Sequence, residues 1–313
     1  MSAVSTAKFR SVQDWESKFT VWAKGPGQTE QNKCENAERM VRDAINAHPA
    51  FKNRNIRVFL QGSYRNRTNV RMDSDVDICV LCMDAFVGDY SHVPGVNAST
   101  LGFINSPYKF DNLKKDVYDA LVAKFGVKAV TPGDKAFDIK ENTYRVSADV
   151  VPTFEGRLYY RDNLGQLRYH SGTVLESAKN KRTINNWPEQ HYNNGVSKHT
   201  QTSRQFKKKV RCLKNLSNEM ASFSIASAES MASFLLESLV YNCPDNLFGY
   251  DSHYDDMKAV IAYLWNLTKT DDTSKNMVEV NAIKYLFHDS QPWNRSQAHT
   301  FLLDAWHYVG FAN

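Results

Sequence analysis

Two aspartates at the start of a strand-like run are the first residues of this sequence that suggest chemistry. Asp75 and Asp77 open residues 75–81, which are otherwise apolar and mostly β-branched. Because alternate residues of a strand point to the same face, the two carboxylates converge. Like charges so close repel each other unless a cation lies between them, and Mg²⁺ prefers hard carboxylate oxygens. The pair therefore predicts a divalent-metal site. Phosphate oxygens would complete the coordination shell of the metal.

A glycine–serine turn precedes this acidic pair. Residues 56–60 read as a strand that ends in Gly62 and Ser63. Glycine lets the backbone approach a ligand closely, and the serine hydroxyl and nearby N–H groups can hold phosphate. Gln61 begins the same turn, so we include it with Gly62 and Ser63 as a predicted nucleotide-binding residue.

A third carboxylate lies further along the chain. Asp149 is the single acid in the strand-like residues 144–152. Two metal ions about 4 Å apart, held by three acids, would activate an attacking hydroxyl and stabilise leaving pyrophosphate. We therefore predict Asp75, Asp77 and Asp149 as catalytic residues and as ligands of two Mg²⁺ or Mn²⁺ ions. Without Asp149, the first two motifs would also suit an ordinary turn and a solvated strand end.

The order of these motifs resembles the nucleotidyltransferase superfamily of DNA polymerase β, and more closely its cGAS/DncV-like bacterial branch. The matching residues are Gly62-Ser63, Asp75-x-Asp77 and Asp149-Val150-Val151-Pro152, within a resemblance that covers about residues 56–244. It implies an enzyme that joins nucleoside triphosphates into a cyclic di- or trinucleotide and releases pyrophosphate. In bacterial antiphage signalling such a product activates a separate effector, so the resemblance implies neither direct effector contact nor a need for nucleic acid. Whether a regulatory partner exists is left open by the sequence.

Basic residues recur at helical spacing in residues 201–220. Arg204, Lys207, Arg211 and Lys214 are predicted to share one helix face, beside an apolar stripe. Such a face is either solvated or turned towards a triphosphate. In the family that the sequence resembles, a lysine on this helix contacts nucleotide phosphates. The resemblance therefore implies that Lys214, more than Lys207, binds the donor.

Asn186 stands in residues 184–191, a segment that resembles the part of the family lying near the nucleobase. Its amide can read a base edge. An asparagine before an aromatic–proline pair is also a common turn residue, and both interpretations stay open.

The arrangement of predicted elements indicates a mixed α/β (α+β) fold. A mixed-sheet catalytic lobe is expected at residues 1–172, and a helical lobe at 173–313, because strand patterns cease after about Gly172. The N-terminal helices are expected to pack on the helical lobe, and the active site to lie in the cleft between the lobes. A helix that begins at Ser11 is one of these, and its aromatic residues Trp15, Phe19 and Trp22 are expected in the core.

Two rival functions follow from the same motifs. A related transferase would make linear oligonucleotides or modify an RNA, a drug or a protein. A non-catalytic nucleotide or nucleic-acid binding module would be favoured by an incomplete set of acids, but all three acids are present.

Composition is that of a soluble globular protein. The 313 residues are 42% hydrophobic and 23% charged, with a net charge of +5 that fits a triphosphate binder without requiring one. Five scattered cysteines include Cys79 and Cys82, but no second pair completes a zinc site, so buried reduced thiols are expected. These thiols suit the cytosol. The absence of a signal peptide or an 18-residue apolar run predicts a cytoplasmic protein without membrane segments.

Overall fold

The computed structural model describes residues 10–70 and 75–311. These residues divide into two compact units. The first, which we call the sheet unit, contains residues 27–65 and 75–188. The second, the helical unit, contains residues 10–26, 66–70 and 189–311. The short segment 66–70 thus belongs by its contacts to the helical unit, although both of its chain neighbours belong to the sheet unit.

Seven strands form one mixed sheet within the described residues. Their bounds are β1 Ile56–Leu60, β2 Val76–Asp89, β3 Val130–Pro132, β4 Phe137–Ile139, β5 Ala148–Arg161, β6 Leu167–Glu176 and β7 Thr183–Asn186. The order runs β1-β2-β5-β4-β3, with β6 pairing β5 and β7 pairing β6. The β2–β5 pair is parallel and the other pairs are antiparallel. The two longest strands of the sheet therefore run side by side in the same direction.

The core of the sheet unit lies on one face of this sheet. Alternate residues of β2, among them Val76, Ile78 and Val80, are fully buried, as are Leu113 and Leu121 of the covering helix. Since side chains alternate along a strand, the opposite face of the same strands carries the residues between these, including Asp77 and Asp149. The helices of this unit are α2 Gln28–Ala47, α3 Gly62–Asn66 and α4 Phe110–Phe125, and α1 Val12–Trp22 precedes them in the helical unit.

The helical unit continues with seven more helices. They are α5 Pro188–Gln201, α6 Phe206–Ser222, α7 Ala226–Glu229, α8 Ser233–Tyr241, α9 His253–Leu267, α10 Asp271–Ser274 and α11 Arg295–Val309. Side-chain caps begin several of them, and in α11 Asn294 accepts from the Gln297 N–H while Gln297 returns the contact. Gly310 ends this helix at φ +80°, a left-handed conformation that glycine adopts without strain.

The core of the helical unit is aromatic and aliphatic. Trp15 and Phe19 of α1 are buried in it, as predicted, together with Phe206 and Leu213 of α6. Trp15 also meets Tyr308 of α11 edge to face. The first helix of the described residues is therefore part of this core, as the sequence led us to expect.

The predicted mixed α/β (α+β) fold is confirmed, and two details of the prediction are wrong. Of the two predicted N-terminal helices, α1 belongs to the helical unit, but α2 packs in the core of the sheet unit. Strands do not cease after Gly172, because Gly172 lies inside β6 and β7 continues the sheet to Asn186. The helical pattern begins only at Pro188. The five cysteines are buried and free, as expected. Across the described residues, every helix is too short or too polar to cross a membrane.

Candidate active site

The glycine–serine turn packs directly against one of the predicted acids. Gly62 has φ +67°, and a Cβ built on it would lie 2.2 Å from Asp77 Oδ2. A side chain at this position would therefore collide with the carboxylate. The Gln61 N–H also donates to the Asp77 carbonyl oxygen at 2.9 Å. Antiparallel pairing of Leu60 with Ile78 brings these two motifs together.

Three aspartates form a row across the sheet. Asp77 on β2 is the register partner of Asp149 on β5, and Asp149 is the partner of Asp138 on β4. Directly opposed residues of neighbouring strands point to the same face, and strands lie about 4.8 Å apart. Asp75 stands two residues before Asp77 and so belongs to the same side. The pairing therefore gathers four carboxylates at one end of β2 and β5, and we call these four together the aspartate row: Asp75, Asp77, Asp138 and Asp149.

The electrostatics of this aspartate row show how closely the charges influence one another. Burial, and then the Asp75 charge, raise the pKa of Asp77 to about 6. Burial also raises the pKa of Asp149 to about 7, with further contributions from a hydrogen bond to Asp138 and from the charges of Asp138, Asp75 and Asp77. Asp77 and Asp149 are thus harder to ionise because they are buried and have acidic neighbours. A divalent cation would remove that cost.

The donor set fits a hard divalent cation in chemistry, although the side chains are not drawn together around one point. Among the described residues, no three His, Cys, Asp or Glu side chains are already placed to hold one metal ion. Mutual repulsion keeps like-charged carboxylates apart, and a cation is what draws such groups into a shared shell. Asp75, Asp77 and Asp149 are the predicted ligands, and small side-chain rotations on a shared face would converge them.

The basic residues predicted to share a helix face have different surroundings. Arg204 is not in the helix, because α6 begins at Phe206 and Arg204 has a left-handed φ of 65° in the preceding turn. Arg211 is buried and donates to the carbonyl oxygens of Ala23, at 3.0 Å from Nε, and Arg67, at 2.6 Å from Nη1. The predicted four-residue stripe is therefore wrong in its first member, and its third member binds backbone.

Lys214, the predicted donor-phosphate ligand, is 2% exposed. Its Nζ lies 2.9 Å from Glu237 Oε2, and donates to the Thr68 carbonyl oxygen at 3.2 Å and to the Thr68 hydroxyl at 3.4 Å. An ammonium has three donors, and all three are engaged. Lys214 would have to leave Glu237 before it could bind a phosphate.

Lys207, unlike Lys214, is a buried lysine of the predicted stripe without a carboxylate partner among the described residues. Within the part of the chain that the structure describes, no carboxylate oxygen lies within 4.0 Å of its Nζ. Burial, followed by the charges of Arg67 and Arg211, lowers its pKa, while Glu237 acts in the opposite direction. A buried cation with cationic neighbours is stabilised by an anion, which is the chemistry of a phosphate-binding residue.

Asn186 lies at the end of β7, where it pairs with Thr173, and its side chain is exposed. It lines a cavity of about 250 Å³ in the sheet unit, together with Arg157, Thr173 and Trp187. Along β5 this cavity is about 20 Å from Asp149, at about 3.3 Å per strand residue. The structure thus places Asn186 on a strand and does not bring it beside the acids.

Sequence reasoning missed two carboxylates. Asp138 could have been suspected from Phe137-Asp138-Ile139, where a lone acid interrupts a short apolar alternation, but only the register shows that it opposes Asp149. Glu237 is buried in α8 beside Lys214 and His191. Its signal was weaker, because a single acid in an apolar helix identifies no partner.

Comparisons with known proteins place this geometry among enzymes. Residues 193–310 match the family model of the cGAS/DncV-like nucleotidyltransferase C-terminal helical domain. The chain is 45% identical over 296 residues to the cyclic dipyrimidine nucleotide synthase CdnE of Legionella pneumophila, covering 95% of this chain and 98% of the relative. It is 34% identical to the cyclic dipurine nucleotide synthase of Elizabethkingia meningoseptica, again over 95% of this chain and 98% of the relative.

Solved structures agree with these sequence matches. The Elizabethkingia meningoseptica CdnE cyclic dinucleotide synthase with GTP and Apcpp aligns with a TM-score of 0.77 and 32% identity, over 94% of this chain and 98% of that one. The Rhodothermus marinus CdnE c-UMP-AMP synthase with Apcpp and Upnpp aligns with a TM-score of 0.80 and 27% identity, over 95% and 97%. Both similarities extend across nearly the whole chain.

Proposed function

The chain belongs to the cGAS/DncV-like nucleotidyltransferase family and is a cyclic nucleotide synthase, and we propose that it joins two pyrimidine nucleoside triphosphates into a cyclic dinucleotide. The base preference is supported by the names of two relatives, both cyclic dipyrimidine nucleotide synthases, at 45% and 37% identity. The named dipurine synthase is less similar, at 34%. We further propose that the product acts as an antiphage signal through a separate effector.

The observation that carries the catalytic assignment is the aspartate row with Gly62 packed against it. We assign Asp75, Asp77 and Asp149 as the ligands of two divalent ions, Mg²⁺ or Mn²⁺. Bound divalent ions supply charge neutralisation of the triphosphate and activation of the acceptor hydroxyl. The carboxylates themselves hold their positions because the strand register fixes their common face.

The turn that precedes β2 is proposed to hold the donor triphosphate. Gly62 leaves the backbone exposed to a ligand, and the Ser63 hydroxyl donates to a phosphate oxygen. The Gln61 N–H is already used by the Asp77 carbonyl oxygen, so Gln61 acts by fixing the turn beside the acid. Both backbone and side-chain groups of this turn therefore serve the same substrate.

Within the helical unit, we propose Lys207 as the cation of α6 that contacts a phosphate. Lys214 keeps that role only as the sequence expectation, since its ammonium is engaged by Glu237 and Thr68. Asn186 keeps the role of reading a base edge only as the sequence expectation: its exposed amide carries both a donor and an acceptor, but the cavity that it lines is not beside the acids.

The test is product analysis with defined substrates. Purified protein is incubated with UTP, CTP, ATP and GTP, singly and in pairs, with Mg²⁺ or Mn²⁺, then treated with phosphatase and examined by mass spectrometry. We expect a phosphatase-resistant species whose mass equals two pyrimidine nucleoside monophosphates minus one water per bond formed. Asp149→Asn should lose the linear intermediate and the ring together, because one set of acids serves both bond-forming steps.

Other products would be equally informative. A phosphatase-resistant ring that contains a purine would overturn the proposed base preference, while the assignment as a cyclic nucleotide synthase would stand. If the only products are phosphatase-sensitive linear chains, or if nucleotide label is incorporated into a protein, the proposal that the product is cyclic is overturned.

A further inference from the structure

The segment Asn66–Val70, which we call the strap, has an unusually constrained conformation for a connection between elements. It begins at Asn66, the last residue of α3, which also carries Ser63, and it precedes Asp75 in the chain. Thr68 is fully buried, and Asn66 and Asn69 are 8% and 6% exposed. Arg67 has φ +54°, in the left-handed region that non-glycine residues rarely adopt. Such a conformation persists only where surrounding contacts enforce it.

The contacts that enforce it come from two helices of the helical unit. Arg211 of α6 donates from Nη1 to the Arg67 carbonyl oxygen at 2.6 Å. Lys214, one turn further along α6, donates to the Thr68 carbonyl oxygen at 3.2 Å. The Thr68 hydroxyl donates to Glu237 Oε2 of α8 at 2.6 Å. Two successive carbonyls and one side chain of the strap are thus held by charged groups.

Glu237 is the centre of this arrangement. It is 4% exposed, with His191 Nε2 at 2.9 Å from Oε1 and Lys214 Nζ at 2.9 Å from Oε2. Burial alone would raise the pKa of Glu237, but the Lys214 charge, His191 and the Thr68 hydroxyl outweigh it and hold that pKa far below the usual range. The carboxylate is therefore ionised and has a partner at each oxygen.

A buried ion pair of this kind is a poor source of stability, because desolvation of both charges offsets much of their attraction. Holding one defined conformation is the better-supported use of such a group. Here the conformation held is that of the strap, and the strap is covalently continuous with both halves of the proposed site. A displaced strap would displace Ser63, because Ser63 lies in the helix that ends at the first strap residue, Asn66.

We propose that Glu237, with Lys214 and Thr68, is a positioning residue for nucleotidyl transfer, because this network anchors the strap that leads into the first metal-binding aspartate. The inference rests on the proposed function, in that it takes Asp75 and Ser63 as site residues. In this proposal Lys214 binds the strap, and His191 keeps the Glu237 carboxylate oriented.

The experiment compares four variants of the full-length chain. Thr68→Val removes the hydroxyl at nearly constant shape, Thr68→Ser keeps it, and Glu237→Gln removes the charge. The matched control is Asp256→Asn, which breaks another buried ion pair of α6: Asp256 is 2% exposed and pairs with fully buried Lys209, but it binds the Gly249 and Tyr250 N–H groups and makes no contact with the strap.

Three readouts separate positioning from general stability. Hydrogen exchange is measured on peptides covering residues 62–70 and 75–79, Mn²⁺ affinity by calorimetry without nucleotide, and kcat and KM by product formation. We expect Thr68→Val and Glu237→Gln to speed exchange in those peptides, to weaken Mn²⁺ binding and to lower kcat about tenfold with KM little changed, since small misplacements of catalytic groups have effects of this size or larger. Thr68→Ser should stay close to the wild type, and Asp256→Asn should change exchange only near residues 249–256.

The inference is overturned if Thr68→Val and Glu237→Gln bind Mn²⁺ as tightly as the wild type, or if Asp256→Asn matches them in every readout. Failure of the proposed function looks different, because the wild type would then yield no cyclic product at all. In that case the exchange and Mn²⁺ measurements still decide whether the network anchors the strap and sets the metal site.

Discussion

The aspartate row of the sheet unit and the basic residues of α6 in the helical unit were both predicted from spacing, with different results. In the row, Asp77 and Asp149 are register partners, and Asp75 and Asp77 share a face. On α6, Lys214 and Arg211 have partners inside their own unit. Burial and the neighbouring acids raise the pKa of Asp77 and of Asp149, whereas these cations are neutralised or bound to carbonyls. The contrast shows that unpaired charge, more than regular spacing, marks a ligand site.

The largest effect should come from removing the charge of the row. Asp75→Asn with Asp77→Asn should lower synthase activity by about 10³-fold or more, because metal ions contribute several kcal/mol to phosphoryl transfer. The metal-free melting temperature should rise, since repulsion between two neighbouring carboxylates is removed. Activity assays and calorimetric melting check both parts. Asp84→Asn is the control, as Asp84 lies on the same strand but binds the Asn55 N–H, and full activity in the double variant would contradict the metal assignment.

The next largest effect should distinguish two lysines of α6. Lys207→Ala should raise KM for nucleoside triphosphate about tenfold, the usual consequence of losing a hydrogen bond to a charged group. Lys214→Ala should chiefly lower kcat and the melting temperature, because it leaves Glu237 buried without its cation. Steady-state kinetics and melting curves separate the two.

A reversed result would change the assignment. If Lys214→Ala raises KM while Lys207→Ala leaves it unchanged, then Lys214 leaves Glu237 to bind the donor, as the family resemblance first suggested. Lys275→Ala serves as the control, because this exposed lysine pairs only with neighbouring Asp272.

A smaller effect is expected in the pH dependence of stability without metal. The pKa values of Asp77 and Asp149 are raised from 3.8 to about 6 and about 7, so the folded state binds these protons more tightly. The associated stability is fully present below about pH 4 and is lost as pH rises through 6 and 7. The melting-temperature difference between the wild type and Asp149→Asn should therefore change across this window in metal-free buffer. Saturating Mn²⁺ should reverse the trend, and a difference independent of pH would contradict the raised pKa values.

Local pattern was sufficient for the acids because a strand fixes side-chain direction with a period of two. The alternation around Asp77, with Val76 and Ile78 buried, already determined which face the carboxylate would take. Asp149 lies on a strand with the same alternation, so the parallel pairing of β2 with β5 places it on the same face as Asp77. Asp138 was missed because its strand has three residues, too few for a periodic signal.

The same logic failed on α6 because neutralising partners are distant in sequence. Arg211 is held by carbonyls of Ala23 and Arg67, and Lys214 by Glu237. Helical periodicity predicts which residues share a face, but not which other element covers that face. The fold class followed from the order of strands and helices. The end of the sheet was misjudged because β7 has only four residues, three of them polar, which is too short for a periodic signal.

The smallest predicted effect concerns Asp138, and it decides whether the row has three working members or four. Asp138 lies opposite Asp149, and its hydrogen bond and charge are, after burial, the main reasons that the pKa of Asp149 is raised to about 7. In Asp138→Asn that pKa should fall, so Asp149 stays ionised to lower pH and metal competes better with protons. The ratio of activity at pH 6 to activity at pH 8 should then rise about threefold, while activity at pH 8 changes little. Asp134→Asn is the control, because this acid precedes the same strand but binds Ser177 and the Lys179 N–H. An unchanged pH profile would show that Asp138 does not influence Asp149. A loss of activity at every pH, with weaker Mn²⁺ binding, would instead make Asp138 a fourth metal ligand. Either outcome would revise what the strand register alone suggests.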